Sequence, residues 1–242
     1  MPYRFLWAAV AILITSSGAV RAQEATKEAP FEKEIRAFEE ADRKQAPPRG
    51  AVLFVGSSSI RMWKTLEKDF PSLTVINRGF GGSTIRDSIR YADRIVIPYQ
   101  PKRIVLYAGD NDVAQGKTAE QVFADFKEFV TTVRGKLPGV RIDFIAIKPS
   151  IKRWGMVETM REANRLVRDY ARGEKGLGYI DVFMPMLGAD GMPLKELFVE
   201  DGLHLNDAGY RLWTKIVAGH LDEAGEPRSS GRQLSAGAGR GV

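Results

Sequence analysis

Short apolar runs alternate with amphipathic stretches along most of this chain. Ala51–Val55 is a buried-strand pattern that ends at Gly56. Leu73–Ile76 is a second and ends at a glycine-rich loop. Arg103–Tyr107 is a third, ending at Ala108-Gly109, and Arg141–Ile147 a fourth, ending before Pro149. Leu177–Val182 is a fifth. Runs with no polar alternation suit strands buried on both faces. Between them the apolar period changes to that of a helix. Val122, Phe126, Phe129 and Val133 mark one face of a helix over Thr118–Leu137. Further helices are expected near Thr84–Tyr91, Met156–Arg172 and Asn206–Leu221. Strand–helix alternation predicts an α/β fold with a five-stranded parallel sheet covered on both faces. Upstream, Pro30 suits a first helical position, and Phe31, Ile35 and Phe38 form one apolar face. That helix should stop before Pro47-Pro48. No internal repeat and no second-domain boundary is visible.

The two ends follow other patterns. Arg4, the apolar run Phe5–Ile14 and Val20-Arg21-Ala22 fit a secretory signal cleaved after Ala22. The run is shorter than the ~20 residues that span a bilayer, so no integral membrane association is expected after cleavage. Residues 226–242 are rich in Gly, Ser and Arg and read as a disordered tail. The expected organisation is therefore signal 1–22, leader with amphipathic helix 23–50, one domain over 51–225, and tail 226–242. This division explains the charge. The formal net charge is +6, but the signal and the tail carry +2 each, which leaves +2 for the rest. The basic balance thus gives no support for nucleic-acid binding. A periplasmic or secreted location is expected.

Composition narrows the chemistry. The chain has no Cys, which removes disulfides, thiolate metal sites and cysteine nucleophiles together. It has two His, so an imidazole base must be His204 or His220. His220 lies at a predicted helix end among Leu212, Trp213, Ile216 and Val217, where a histidine needs no function.

Three predicted strand ends carry polar loops. They are Gly56-Ser57-Ser58-Ser59, Asn77 to Thr84 with Gly79, Gly81 and Gly82, and Gly109-Asp110-Asn111-Asp112. A fourth segment, Asp201-Gly202-Leu203-His204, precedes the last helix. In parallel sheets ligands bind beyond the carboxyl ends of the strands. A serine there needs a base, and His204 has a carboxylate three residues earlier to fix its tautomer. Glycine-loop N–H groups and an Asn amide suit a developing oxyanion.

These four segments, in this order over about Ala51 to Leu221, resemble the motif blocks of the SGNH hydrolases, the GDSL-type esterases and lipases. The resemblance implies a three-layer α/β/α sandwich related to flavodoxin. It implies Ser58 as nucleophile, with Asp201 and His204 completing a triad. It implies an oxyanion hole from the Ser58 and Gly82 N–H groups and the Asn111 side chain. Ser57 stands where the family's first block has Asp, and Ser59 where it has Leu. That variant is similar to branches with a Gly-Ser-Ser-Ser block.

Other readings stay open at this point. The same site serves an O-acyltransferase on envelope glycan. Gly56–Ser59 alone suits a phosphate or sugar cradle in a non-catalytic binding protein. Asp110, Asp112 and Asp201 suit a hard cation, though without a Ca²⁺-loop spacing. The reading adopted is an esterase with no metal and no cofactor, acting on a small-molecule, glycan or lipid ester. Phe80 is expected to line the acyl pocket, and Arg153-Trp154 to form a rim that meets the substrate.

Overall fold

A computed structural model describes residues 28–223. Strands β1 (Val52–Gly56), β2 (Val75–Gly79), β3 (Arg103–Tyr107), β4 (Arg141–Ile145) and β5 (Leu177–Ile180) form one sheet in the order β2-β1-β3-β4-β5. Every neighbouring pair is parallel. This is the flavodoxin-like order, in which the connections reverse direction between β1 and β3. The expected α/β architecture with five parallel strands is therefore present.

Helices cover both faces. They are α1 (Glu32–Lys44), α2 (Ser58–Arg61), α3 (Leu66–Asp69), α4 (Ile85–Arg90), α5 (Ala92–Ile95), α6 (Asp110–Ala114), α7 (Ala119–Lys136), α8 (Val157–Gly173) and α9 (Asp207–Glu223). Strand side chains alternate between two cores, as a pleated sheet requires. Leu53, Val55, Ile104, Leu106 and Phe144 pack with Ile85, Val122, Phe126, Phe129 and Val167. Val52, Phe54, Val105 and Tyr107 pack with Trp63, Phe70, Trp213 and Val217. Three layers result. The chain divides after Pro30, and everything above belongs to the unit from Phe31 onward.

The sequence boundaries hold within a few residues. β2 ends three residues later than expected, at Gly79. The first helix begins at Glu32, after Phe31 in a left-handed conformation, so Pro30 is not its first residue. The short helices α2, α3, α5 and α6 were not foreseen, because four or five residues carry no readable period. The signal and the tail lie outside the described residues. Among the described residues no helix is long and apolar enough to cross a membrane.

Candidate active site

The site assembles at the carboxyl ends of β1, β2 and β3. Gly56 closes β1 at φ +130°, and a Cβ there would sit 1.9 Å from the Tyr107 carbonyl oxygen. Only glycine lets β1 and β3 run this close and still turn. The Ser57 N–H donates to that same carbonyl (2.9 Å), and α2 starts at the next residue. Ser57 and Ser59 are fully buried. Ser58 is 9% exposed and is the serine that reaches the site.

The loop after β2 is fastened at several points. The Phe80 N–H donates to the Gly56 carbonyl (2.9 Å), and the Ser83 hydroxyl to the Phe80 carbonyl (2.9 Å). Thr84 and Asp87 form a capping box on α4. Gly82 sits between them, exposed and at φ +81°. Phe80 corrects the sequence reading. Its ring is fully buried, edge-on to Phe31 (5.3 Å) and Tyr91 (6.1 Å). It does not line an acyl pocket but anchors the loop in the core.

After β3, Asp110 and Asn111 open α6. Asn111 is 8% exposed. Its Nδ2 donates to the Ser83 carbonyl (3.0 Å), which ties the β3 loop to the β2 loop. Its Oδ1 accepts from Arg153 Nη2 (2.9 Å). Asp110 Oδ2 lies 3.1 Å from Arg153 Nη1 and 3.3 Å from Lys148 Nζ. Lys148 is buried and also donates to the Tyr107 hydroxyl (3.1 Å). Burial pulls its ammonium below the ordinary range, and the Asp110 charge opposes that pull. Asp112, also buried, accepts from Lys117 (2.7 Å) and from the Ile85 N–H. The acidic residues of this loop are thus engaged by cations and backbone. Among the described residues no group of three or more His, Asp or Glu is placed to hold a metal.

The last segment brings His204. His204 Nε2 lies 3.0 Å from Ser58 Oγ, and His204 Nδ1 lies 2.6 Å from Asp201 Oδ2. Asp201 Oδ1 also accepts the N–H groups of Leu203 (2.8 Å) and His204 (2.9 Å). Desolvation pushes the Asp201 carboxyl up. The hydrogen bonds from His204 and Leu203 outweigh it and hold the group down at about 2. Asp201 is therefore ionised at any pH at which the protein would work. Leu205 lines a groove with Met62, Val199 and Tyr210, joined by Lys64 and Arg211.

Ser58, Asp201, His204, Gly82 and Asn111 thus come from four loops that converge on one rim. Trp154 opens a short 3-10 turn, its ring 6.0 Å from the Arg161 guanidinium, while its neighbour Arg153 reaches Asn111. His220 has a carboxylate partner that local spacing missed. Asp143 of β4 lies 3.0 Å from its Nε2 and also pairs with Arg103. Contacts of Arg153 and His220 across 42 and 77 residues leave no mark in the sequence.

The chain belongs to the GDSL-like lipase/acylhydrolase family, whose model matches residues 36–212. It is therefore grouped with ester hydrolases. No curated protein sequence matches it. Among solved structures it resembles a candidate acylhydrolase of Bacteroides fragilis, at 19% identity and TM-score 0.70, covering 82% of this chain and 99% of that one. A GDSL-like lipase of Bacteroides thetaiotaomicron matches at 19% identity and TM-score 0.67, covering 78% and 98%. A variant of an acetyl-xylooligosaccharide esterase of Geobacillus stearmophilus matches at 18% identity and TM-score 0.57, covering 77% and 99%. At these identities the likeness concerns the fold.

Proposed function

We propose that the protein is a serine esterase in which Ser58 is the nucleophile, His204 the base and acid, and Asp201 its orienting carboxylate. The observation that carries this reading is the unbroken line Asp201–His204–Ser58, with links of 2.6 and 3.0 Å, at the rim of the sheet. An ionised Asp201 only accepts, so His204 Nδ1 carries the proton and Nε2 is left to accept from Ser58.

The reaction follows from these roles. Ser58 Oγ bonds to the ester carbonyl carbon while Nε2 takes the hydroxyl proton. The carbonyl oxygen becomes an oxyanion, held by the Ser58 and Gly82 N–H groups and by Asn111 Nδ2. The bond to the alcohol then breaks, and the alcohol leaves with the proton from Nε2. Water, activated by His204, attacks the acyl-enzyme, releases the acid and restores Ser58.

The substrate proposed is a small ester with a short acyl group. The acetyl-xylooligosaccharide esterase among the structural neighbours supports this. The N-terminal pattern supports action outside the cytoplasm. The test is a panel of p-nitrophenyl esters of increasing acyl length, with an acetylated xylooligosaccharide. Wild type is expected to prefer the shortest acyl groups. Ser58→Ala and His204→Ala are expected to lose at least about 10³-fold in kcat. Equal rates for wild type and Ser58→Ala would refute the proposal, and dominant transfer to an added sugar would reassign it as an acyltransferase.

A further inference from the structure

An asparagine amide serves an oxyanion only when its NH₂ end faces the reacting carbon. Asn111 is fixed from both ends. Nδ2 spends one proton on the Ser83 carbonyl (3.0 Å), and Oδ1 accepts from Arg153 Nη2 (2.9 Å). A flipped amide would set Oδ1 against a carbonyl oxygen and Nδ2 against a guanidinium. Both contacts would be repulsive. The arrangement leaves the second Nδ2 proton for a ligand.

Arg153 is itself fixed. Its side chain is 16% exposed, and its other nitrogen lies 3.1 Å from Asp110 Oδ2. Asp110 Oδ1 accepts the Asn111 N–H (2.9 Å), so one guanidinium grips two consecutive residues that are already tied together. Lys148 shares the same Asp110 oxygen, so Asp110 is not the partner of Arg153 alone. The backbone beside Arg153 is held as well. The Lys152 N–H donates to the Gly202 carbonyl (3.0 Å), between Asp201 and His204. The segment bearing Arg153 therefore touches both the Asn111 loop and the loop of the base.

We infer that Arg153 is a positioning residue for the reaction proposed above: it sets the orientation of the Asn111 amide and polarises it toward the forming oxyanion. This rests on the reading of Asn111 as an oxyanion donor. A cation on Oδ1 draws electron density from Nδ2 and strengthens its bond to a developing negative oxygen. The gain arises with that charge, so it acts on kcat and not on KM.

The test measures kcat and KM for p-nitrophenyl acetate in wild type, Arg153→Ala, Arg153→Lys, Asn111→Ala, the Arg153→Ala/Asn111→Ala double variant and Ser58→Ala. Arg153→Ala is expected to lower kcat about 10–100-fold at unchanged KM, less than the roughly 10²–10³-fold of a lost donor. Arg153→Lys and added guanidinium ion are each expected to restore part of the loss. Neither rescue should act where Asn111 is absent, and the double variant should be no slower than Asn111→Ala. Asp110 keeps Lys148 when Arg153 is removed, so its charge is not stranded. Should Arg153→Ala fail to fold, Arg153→Gln keeps a donor without the charge, and a kcat about tenfold lower supports the inference. Wild-type kcat in the Arg153 variants, a change in KM alone, or losses that multiply in the double variant would overturn it. If Ser58→Ala or Asn111→Ala retains full turnover, the reading of the site falls and this inference with it. If both are impaired while Arg153→Ala is not, only the inference falls.

Discussion

At the scale of single residues, the site depends on atoms that have one acceptable position. Ser58 is useful only because Gly56 turns the chain within contact of Tyr107. Gly56→Ala places a Cβ 1.9 Å from a carbonyl oxygen that is part of the sheet. It should destabilise the fold by about 3 kcal/mol or more, read by thermal or urea unfolding. Phe80 gives a second test. As a core ring it should cost about 3–5 kcal/mol when cut to Ala. The acyl-length preference of the remaining folded enzyme should not change, whereas a pocket role would shift it. Ser58, Asn111, Asp201 and His204 were legible because each lies in a short polar block beside a strand end or the last helix. Phe80 was misread because two flanking glycines look like a loop tip. Its ring turns inward only because Phe31 and Tyr91, 49 and 11 residues away in the chain, wait there.

At the scale of elements, the long amphipathic segments and the apolar runs were legible, since packing on a sheet imposes a period. The four short helices were not, and two of them follow β1 and β3 and carry Ser58 and Asn111. They arise from strand ends that must turn, not from propensity. The first helix is held differently. Arg94 of α5 bonds Glu32 of α1 (2.7 Å) and Glu39 (2.6 Å). The guanidinium holds the Glu32 carboxyl down at about 2, from an ordinary value of 4.5, and lowers Glu39 as well. A depressed carboxyl stabilises above its unfolded value and loses that contribution as pH falls. Amide exchange should therefore show α1 losing protection as pH drops from about 4.5 toward about 2, ahead of the sheet. Arg94→Ala should loosen α1 at neutral pH and weaken that acid dependence, of which Arg36 keeps a part through Glu32 (2.9 Å). Unchanged α1 protection in the variant would contradict this.

At the scale of the whole molecule, the two histidines divide between the two ends of the sheet. His204 lies at the carboxyl ends of the strands, against Ser58. His220 caps the far side, where Asp143 is fully buried between Arg103 and His220. Burial pushes Asp143 up, but His220 and Arg103 bring it below its ordinary 3.8. Its contribution to stability is present above that value and is lost in acid. His220→Ala should keep turnover per folded molecule and cost about 1–3 kcal/mol of stability, from the partner withdrawn from a buried carboxylate. His204→Ala should do the reverse. Such a split between stability and turnover would separate the two imidazoles by function.

The most direct measurement of the central claim is covalent. Wild-type protein treated with a fluorophosphonate ester and mapped by peptide mass spectrometry should carry one adduct, on Ser58. The adduct should be absent in Ser58→Ala and form far more slowly in His204→Ala. An adduct on Ser57 or Ser59, or labelling that persists in Ser58→Ala, would contradict the account.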